Sequence, residues 1–227
     1  MKKYTRHEIA STIAIVFHAI GLAGILFYDK TLFASFTAYH ILLMCALLVY
    51  SLKKLNIPFI AFLVACFFIG YFVEYIGIST GWLFGNYTYG NSLGIKVKEV
   101  PLIIGLNWFV IVYCCGITAH TIYRKLIGRL GMENAVLKKG LHHFSLAFDT
   151  AMLAVFFDFI MEPAAIKLGY WEWQNGIIPT FNYACWFLIS FILSALFQGF
   201  KLDRHNKFAV HLLLIQFMFF LILRTFL

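Results

Sequence analysis

Seven long apolar stretches, separated by short polar segments, make up most of the chain. Each has about 19–23 residues, close to the ~20 that an α-helix needs to cross the hydrocarbon core of a bilayer. The sequence has no internal repeat and no linker long enough to separate two domains. The pattern predicts an all-α fold, a polytopic membrane helix bundle with about seven transmembrane helices, in a single integral-membrane domain (residues 1–227). The predicted spans are residues 9–27, 32–52, 58–78, 101–123, 144–162, 179–200 and 208–226.

The four prolines lie at the edges of these stretches. Pro58, Pro101 and Pro179 lie where helices are predicted to begin, and the missing amide hydrogen breaks no helical hydrogen bond there. Pro163 directly follows Glu162, and the residue before a proline disfavours the helical conformation. We therefore predict that the fifth span ends at Glu162.

The first apolar stretch follows a basic N-terminus, a combination that also occurs in signal peptides. Residues 9–27 are long enough to span a bilayer and exceed the apolar core of a usual signal peptide. We predict a retained first helix. The alternative is cleavage after Ala23.

Composition excludes several classes of protein. Of the 227 residues, 62% are hydrophobic and 12% are charged, which is outside the range of soluble domains. All five cysteines lie in apolar stretches, which favours small core residues over disulfides or metal ligands. The net charge of +8 could indicate a nucleic-acid-binding protein, but the sequence predicts no solvated basic surface that would bind nucleic acid. We therefore expect the chain to contact the lipid bilayer and not to bind nucleic acid.

The distribution of Lys and Arg predicts the orientation of the bundle. With the N-terminus inside, 13 of the 18 Lys and Arg residues fall in inner segments and 5 in outer segments, as the positive-inside rule requires. We therefore predict N-inside and C-outside in a cytoplasmic (plasma) membrane, such as a bacterial inner membrane. The basic segment 124–143 is predicted to form a short helix at the inner membrane surface.

Residues 73–89 interrupt the apolar pattern. Glu74 is the only charge in its span and lies near the predicted outer end. Gly77, Gly81 and Gly85 follow at every fourth position, and aromatic residues lie between them. Glycine permits tight turns and close approach to a ligand, so the aromatic side chains on this frame can wall a pocket.

Residues 158–173 have a similar make-up, with acids at the end of a span and then Gly and aromatic residues. Asp158 and Glu162 are about 40° apart around a helix, so both project from one face. A carboxyl group in the hydrocarbon region is costly and by default marks function, and desolvation favours its neutral, proton-donating form. The alternative for Glu162 is a helix end at the interface. Trp and Tyr also collect at interfaces without a binding role.

The sequence lacks the motifs of metal sites, retinal proteins and nucleotide-cofactor sites. The eight histidines have no metal-binding spacing and are predicted to lie away from the acids, so no metal site is expected. The last span has no lysine, which excludes a retinal protein. No Walker or GxGxxG motif is present, and we expect no cofactor.

The chain resembles the carotenoid biosynthesis membrane protein family, which includes carotenoid hydratases and bisanhydrobacterioruberin hydratases. The resemblance rests on the motif E-x-x-G-x-x-T-G-x-x-F-G-x-Y-x-Y, a later Glu-Pro pair and the sequence G-x-W-x-W, and it covers most of the chain. Its residues are Glu74, Gly77, Thr80, Gly81, Phe84, Gly85, Tyr87, Tyr89, Asn107, Trp108, Asp158, Glu162, Trp171, Trp173, Asn182 and Trp186.

The resemblance implies addition of water to a terminal isoprenoid double bond of an acyclic or monocyclic carotenoid, giving a tertiary alcohol. The substrate would carry a lycopene- or γ-carotene-like ψ end group, and other carotenoid-pathway enzymes are expected partners. It implies catalysis by Glu74, Asp158 and Glu162, and substrate binding by the other thirteen residues. We interpret the glycines as room for a long, flat substrate. A carotenoid across the bilayer, roughly 30 Å thick, would place its end group near the outer leaflet and water.

A proton-coupled transporter or channel is the alternative. Such a protein would use the same intramembrane acids as a proton relay. The inner half of the predicted bundle carries few acids for a relay, and no matching pair of broken helices indicates inverted repeats. The sequence therefore favours the hydratase over the transporter.

Overall fold

The chain folds into a bundle of α-helices, described by a computed structural model for residues 4–130, 139–200 and 202–227. Six of the helices are long and apolar enough to cross a membrane, and α3 is apolar but only 15 residues long, roughly 22 Å. This confirms an all-α bundle suited to a membrane, and the number of crossings stays a prediction. The helices in the described residues are α1 (Arg6–Phe27), α2 (Lys30–Ser35), α3 (Thr37–Ser51), α4 (Ile57–Thr80), α5 (Ile103–Leu130), α6 (Lys139–Lys167), α7 (Thr180–Gly199) and α8 (Lys207–Phe226).

Two predicted segments differ from the structure. The second predicted span is divided at Phe36, which ends α2 and precedes α3. The predicted surface helix at 124–143 is wrong where the chain is described, because residues 124–130 continue α5 and residues 139–143 begin α6. Its middle part, 131–138, lies outside the described residues.

The predicted helix end at Glu162 is also wrong, because α6 continues through Pro163 to Lys167. Pro163 has no amide hydrogen to donate to the carbonyl four residues earlier, that of Phe159. Arg224 of α8 supplies the missing donor: its Nη1 donates to Phe159 O at 2.8 Å. The Arg224 guanidinium also lies 4.7 Å from the centre of the Phe159 ring. A cation from α8 therefore stabilises the helix where the proline would interrupt it.

Helix α5 lies at the centre of the bundle, where 83% of its most apolar window is buried, against 28–50% for the other candidate spans. Two glycines bring α4 close to α5. A Cβ at Gly70 would lie 2.6 Å from Trp108 Cβ, and one at Gly105 would lie 2.6 Å from Phe67 O. This close approach places Trp108 against Gly70, one helical turn before Glu74 of α4.

Short strands join the two loops that follow α4 and α6. Strand β1 (Tyr87–Tyr89) pairs antiparallel with β4 (Trp171–Trp173), and β2 (Lys96–Val97) pairs with β3 (Val100–Pro101). The β1–β4 ladder is extended by a hydrogen bond from Gly90 N to Tyr170 O at 2.9 Å. In β1 and β4 the end residues are buried and the middle residue is exposed. The two Gly–aromatic stretches therefore form one ribbon, with its aromatic face toward the helices.

Candidate functional site

Three carboxyl groups meet beneath the β1–β4 ribbon, at the ends of α4 and α6. Glu74, Asp158 and Glu162 are 5%, 0% and 2% exposed, respectively. Among the described residues, none of them has a Lys, Arg or His partner, and the ion pair found there, His205 with Asp203, lies elsewhere. Buried carboxyl groups without a cation are costly unless they are hydrogen-bonded or protonated. This cost is typical of a site and not of a structural core.

Glu74 is surrounded by hydrogen-bond donors. Its Oε1 accepts from Trp108 Nε1 at 2.9 Å, and its Oε2 accepts from the hydroxyl groups of Tyr89, at 2.8 Å, and Tyr87. Hydrogen bonds from three neutral donors favour the ionised form of a carboxyl group. The surroundings of Glu74 are therefore those of an anion held by neutral donors.

The two tyrosines keep their protons in this position. Burial, together with the neighbouring Glu74 charge, raises the pKa of Tyr87 and Tyr89 well above the usual tyrosine value. Both hydroxyl groups therefore remain donors to Glu74 throughout the physiological pH range.

Asp158 and Glu162 form a pair bridged by one amide. Asn182 Nδ2 donates to Asp158 Oδ2 at 2.9 Å and lies 3.4 Å from Glu162 Oε1. Glu162 Oε2 accepts from the indole nitrogens of Trp171, at 2.9 Å, and Trp173, at 3.0 Å. The enclosed Asp158 Oδ1 has no hydrogen-bond partner in the described part of the chain. The pair thus retains an acceptor position that a proton can occupy.

A cavity of about 30 Å³ separates Glu74 from Glu162. This volume holds a water molecule. The Trp108 and Trp186 rings are stacked in its wall, with centres 4.2 Å apart. Ile104 and Met161 also line the cavity and were not predicted, because they carry no polar signal. The predicted site residues that line the cavity are Glu74, Phe84, Tyr87, Tyr89, Asn107, Trp108, Glu162, Trp171, Trp173, Asn182 and Trp186.

The other predicted residues lie outside this lining. Asp158 does not line the cavity, but its Oδ2 accepts a hydrogen bond from Asn182, which does. Thr80 donates to Ile76 O at 2.7 Å within α4 and is exposed. The glycines Gly77, Gly81 and Gly85 also do not line the cavity.

Each of these glycines meets protein atoms, which corrects their interpretation as room for substrate. Gly81 ends α4 in the left-handed conformation, with φ 67°. A Cβ at Gly77 would lie 3.0 Å from Phe84 Cδ2. A Cβ at Gly85, where φ is 112°, would lie 2.8 Å from Pro179 Cγ. The glycines therefore allow the ribbon to fold tightly onto the helix ends.

A larger apolar groove of about 310 Å³ adjoins the acid cavity. It lies between α1, α3, α6 and α8, and the two spaces share Ile104, Asn107, Met161 and Trp171 in their walls. Sequence reasoning missed the groove because its apolar lining residues look the same as lipid-facing ones.

Two histidines also lie in this groove. His18 and His40, predicted to lie away from the acids, line this groove and do not line the acid cavity.

Comparison with known proteins gives two matches. The profile of a family described as "Carotenoid biosynthesis protein" matches residues 35–227. A bisanhydrobacterioruberin hydratase from Haloarcula japonica is 26% identical over 212 residues, which cover 85% of this chain and 65% of that protein. The chain thus spans just under two thirds of that relative. No solved structure matches the chain.

Proposed function

The chain belongs to the carotenoid biosynthesis protein family, and from this premise we propose that it adds water to a terminal isoprenoid double bond of a carotenoid. The observation that carries the proposal is the cavity with carboxyl groups on both sides, aromatic walls and room for a water molecule. The relative from Haloarcula japonica is a hydratase by name. The proposed substrate is an acyclic or monocyclic carotenoid with a ψ end group, and the product is a tertiary alcohol.

The Asp158–Glu162 pair is the proposed source of the proton. Asn182 Nδ2 contacts one oxygen of each carboxyl group, so these oxygens lie close together in a buried site. Two adjacent carboxyl groups do not both ionise readily, and the pair holds one proton. Glu162 lines the cavity and delivers the proton to the CH carbon of the double bond. Asp158, which does not line the cavity, shares this proton with Glu162.

The opposite wall stabilises the cation that this step creates. Protonation of a trisubstituted alkene leaves a tertiary carbocation, which the Glu74 carboxylate and the faces of the stacked Trp108 and Trp186 rings stabilise. The oxygen of the cavity water bonds to the cationic carbon. The proton that this water releases returns to the Asp158–Glu162 pair, so the net change is addition of one water. The protein's own groups suffice for this cycle.

The proposed position in the membrane follows from the charge distribution. We propose seven crossings, with the N-terminus inside and the C-terminus outside, in the cytoplasmic membrane. The acid cavity then lies toward the outer leaflet, where α4 and α6 end and α5 and α7 begin. The polyene lies in the apolar groove, and its end group lies in the acid cavity.

Expression in lycopene-producing and γ-carotene-producing bacteria tests the reaction. We expect a product 18 mass units heavier than the substrate, detected by liquid chromatography and mass spectrometry. Good membrane expression without such a product from either substrate would contradict the proposal for these end groups.

Glu162→Gln tests the assigned proton donor. We expect a loss of about 10²- to 10⁴-fold in rate, the usual contribution of a positioned acid. Glu172→Gln is the matched control, because Glu172 lies on β4 between Trp171 and Trp173 but faces away from the cavity. A Glu162→Gln rate equal to that of the control would exclude Glu162 as the donor. Undiminished product from Asp158→Asn would remove Asp158 from the mechanism.

A further inference from the structure

A second cluster of polar side chains lies at the end of the bundle opposite the acid cavity, in an open cleft of about 320 Å³. The cleft lies where α5 ends and α6 begins, whereas the acid cavity lies where α5 begins and α6 ends. None of its lining residues takes part in the proposed reaction. Those in the described part of the chain are His120, Tyr123, Arg124, Ile127, Gly128 and His142.

Three of these side chains carry donors without a partner in the described part of the chain. Tyr123 and Arg124 form no hydrogen bond there, and the enclosed His142 Nδ1 forms none either. A half-turn of the imidazole exchanges its nitrogen and carbon positions, so a nitrogen of His142 can face the cleft that its ring lines. An unpaired, enclosed donor is rare in folded proteins. The cleft therefore offers donors to a group that accepts hydrogen bonds.

Gln198 of α7 holds two further basic side chains beside the cleft. Its side-chain oxygen accepts from His120 Nε2 at 3.1 Å, and its backbone oxygen accepts from Arg204 Nη2 at 3.2 Å. Gln198 is 5% exposed, so a buried residue anchors both. Arg204 lies close enough to His120 and His142 to interact electrostatically with each of them.

No carboxyl group balances these basic side chains within the described residues. Neither Arg124 nor Arg204 forms an ion pair there, and Asp149 lies two helical turns beyond the cleft along α6, roughly 10 Å. Segment 124–143 contains five Lys and Arg residues and one acid, Glu133, which lies outside the described residues. Basic groups held together repel each other, and a bound anion removes that repulsion.

We propose that this cleft binds a phosphate group. The Arg124 guanidinium can donate two parallel hydrogen bonds to phosphate oxygens, which is the geometry that favours arginine at phosphate sites. Tyr123 and His142 donate to the remaining oxygens. The proposal does not depend on the reaction at the acid cavity.

The surroundings of the cleft favour the phosphate of an anionic phospholipid over a free phosphate ion. Leu126 of α5 and Leu141 and Phe144 of α6 are 53–56% exposed and offer an apolar surface for acyl chains. A Cβ at Gly128 would meet nothing within 4 Å, so the cleft stays open beside α5. Basic sites at the membrane surface attract anionic headgroups.

Native mass spectrometry of the full chain, released from detergent micelles, tests this proposal. The probes are dioleoylphosphatidylglycerol and dioleoylglycerol, which have the same acyl chains and differ in the phosphate-containing headgroup. We expect phosphatidylglycerol to bind about tenfold more tightly or better, as for one or more charged hydrogen bonds. Inorganic phosphate is added as a competitor to separate the two sources of phosphate.

Variants assign the preference to the cleft. Arg124→Gln and His142→Gln should each weaken phosphatidylglycerol binding about tenfold and leave dioleoylglycerol binding unchanged. Arg129→Gln is the matched control for Arg124, because it removes the same charge from an exposed position of α5 that does not line the cleft. His7→Gln, in α1 and outside the cleft, is the control for His142. Size-exclusion profiles equal to the parent's confirm folding, and Arg124→Lys replaces Arg124→Gln if the latter aggregates.

The outcomes separate a phospholipid site from a phosphate-ion site and from no site. Displacement of phosphatidylglycerol only by a large excess of inorganic phosphate would support the phospholipid. Displacement at equal concentration would support a phosphate site that serves the free ion. Equal binding of the two lipids, or equal losses in Arg124→Gln and Arg129→Gln, would overturn the phosphate site. Hydration of carotenoid is measured separately, so its failure would leave this proposal in place.

Discussion

At the residue scale, the three buried carboxyl groups differ in what surrounds their oxygen atoms. Glu74 accepts hydrogen bonds from three neutral donors, whereas Asp158 has an oxygen without a partner. Their surroundings therefore favour different protonation states for carboxyl groups in one site. The same division of roles between two carboxyl groups occurs in enzymes that need an acid and an anion together.

Tyr87→Phe tests the role of Glu74 as a fixed anion. The variant removes one donor from the carboxylate but keeps the ring, so we expect Glu74 to be less stable as an anion and the hydration rate to fall about tenfold. Tyr71→Phe is the control, since the Tyr71 hydroxyl donates to Val97 O outside the cavity. Rates are measured by mass spectrometry of extracted pigment at equal membrane expression. Equal rates for both variants would contradict a catalytic role for the Tyr87 hydroxyl.

The sequence predicts the acids and tryptophans of the site better than its glycines. The sequence alone identifies Glu74 as a candidate site residue, because a charge in an apolar span is costly in any fold. The contacts of Gly85 with Pro179 depend on loops almost a hundred residues apart, and no local pattern reports them. The groove was missed for the same reason: His40 and Gln216 look like isolated polar residues until the fold brings both into the lining of one groove.

At the scale of the elements, the β1–β4 ribbon positions the donors of both acids. Tyr87 and Tyr89 of β1 reach Glu74, and Trp171 and Trp173 of β4 reach Glu162. Their register, Tyr87 opposite Trp173 and Tyr89 opposite Trp171, puts all four side chains on one face. A shift by one residue would turn this face away from the acids.

Gly90→Ala should disturb this register. A Cβ at Gly90 would collide with the backbone carbonyl of Gly169, and backbone cannot move aside as a flexible side chain does. We expect a loss of about 1–3 kcal/mol in stability together with reduced activity. Gly128→Ala is the control, because nothing lies within 4 Å of its added Cβ. Thermal unfolding in detergent compares the two variants, and equal midpoints would argue against a close ribbon contact.

Arg224→Met tests how α6 continues past its proline. The variant removes the donor to Phe159 O and leaves that carbonyl without a partner beside Pro163. We expect destabilisation by about 1–3 kcal/mol, the usual penalty for one unsatisfied group. Arg129→Met, at an exposed position, controls for loss of an arginine. Thermal unfolding is again the measurement, and no difference between the two variants would contradict the assigned role of Arg224.

This proline also shows why helix ends are harder to predict than helices. Pro163 disfavours helix locally, so the span was predicted to end there. The compensating group, Arg224, lies 61 residues later in the chain and acts only after α8 packs on α6. Pro58 and Pro179 agree with the predicted helix starts because no distant group is needed there.

At the scale of the whole molecule, the acid cavity and the predicted basic segments distinguish the two ends of the helix bundle. The acid cavity lies where α4 and α6 end and where α5 and α7 begin, so it occupies one end of the bundle. Most Lys and Arg residues fall in the segments that are predicted to lie at the opposite end. If that end faces the cytoplasm, a polyene in the groove presents its end group to the outer interface, where water is available.

Cysteine labelling in intact cells tests this orientation. The five native cysteines are buried, so the parent chain should react little with a membrane-impermeant maleimide and serves as the background. Asn91→Cys, in the exposed loop beside β1, should be labelled in intact cells. Leu55→Cys, in the exposed loop between α3 and α4, should be labelled only after permeabilisation. Neither change alters a charge, so the orientation is not disturbed. Labelling of Leu55→Cys but not Asn91→Cys in intact cells would place the acid cavity at the cytoplasmic face, and the water that it consumes would then come from the cytoplasm.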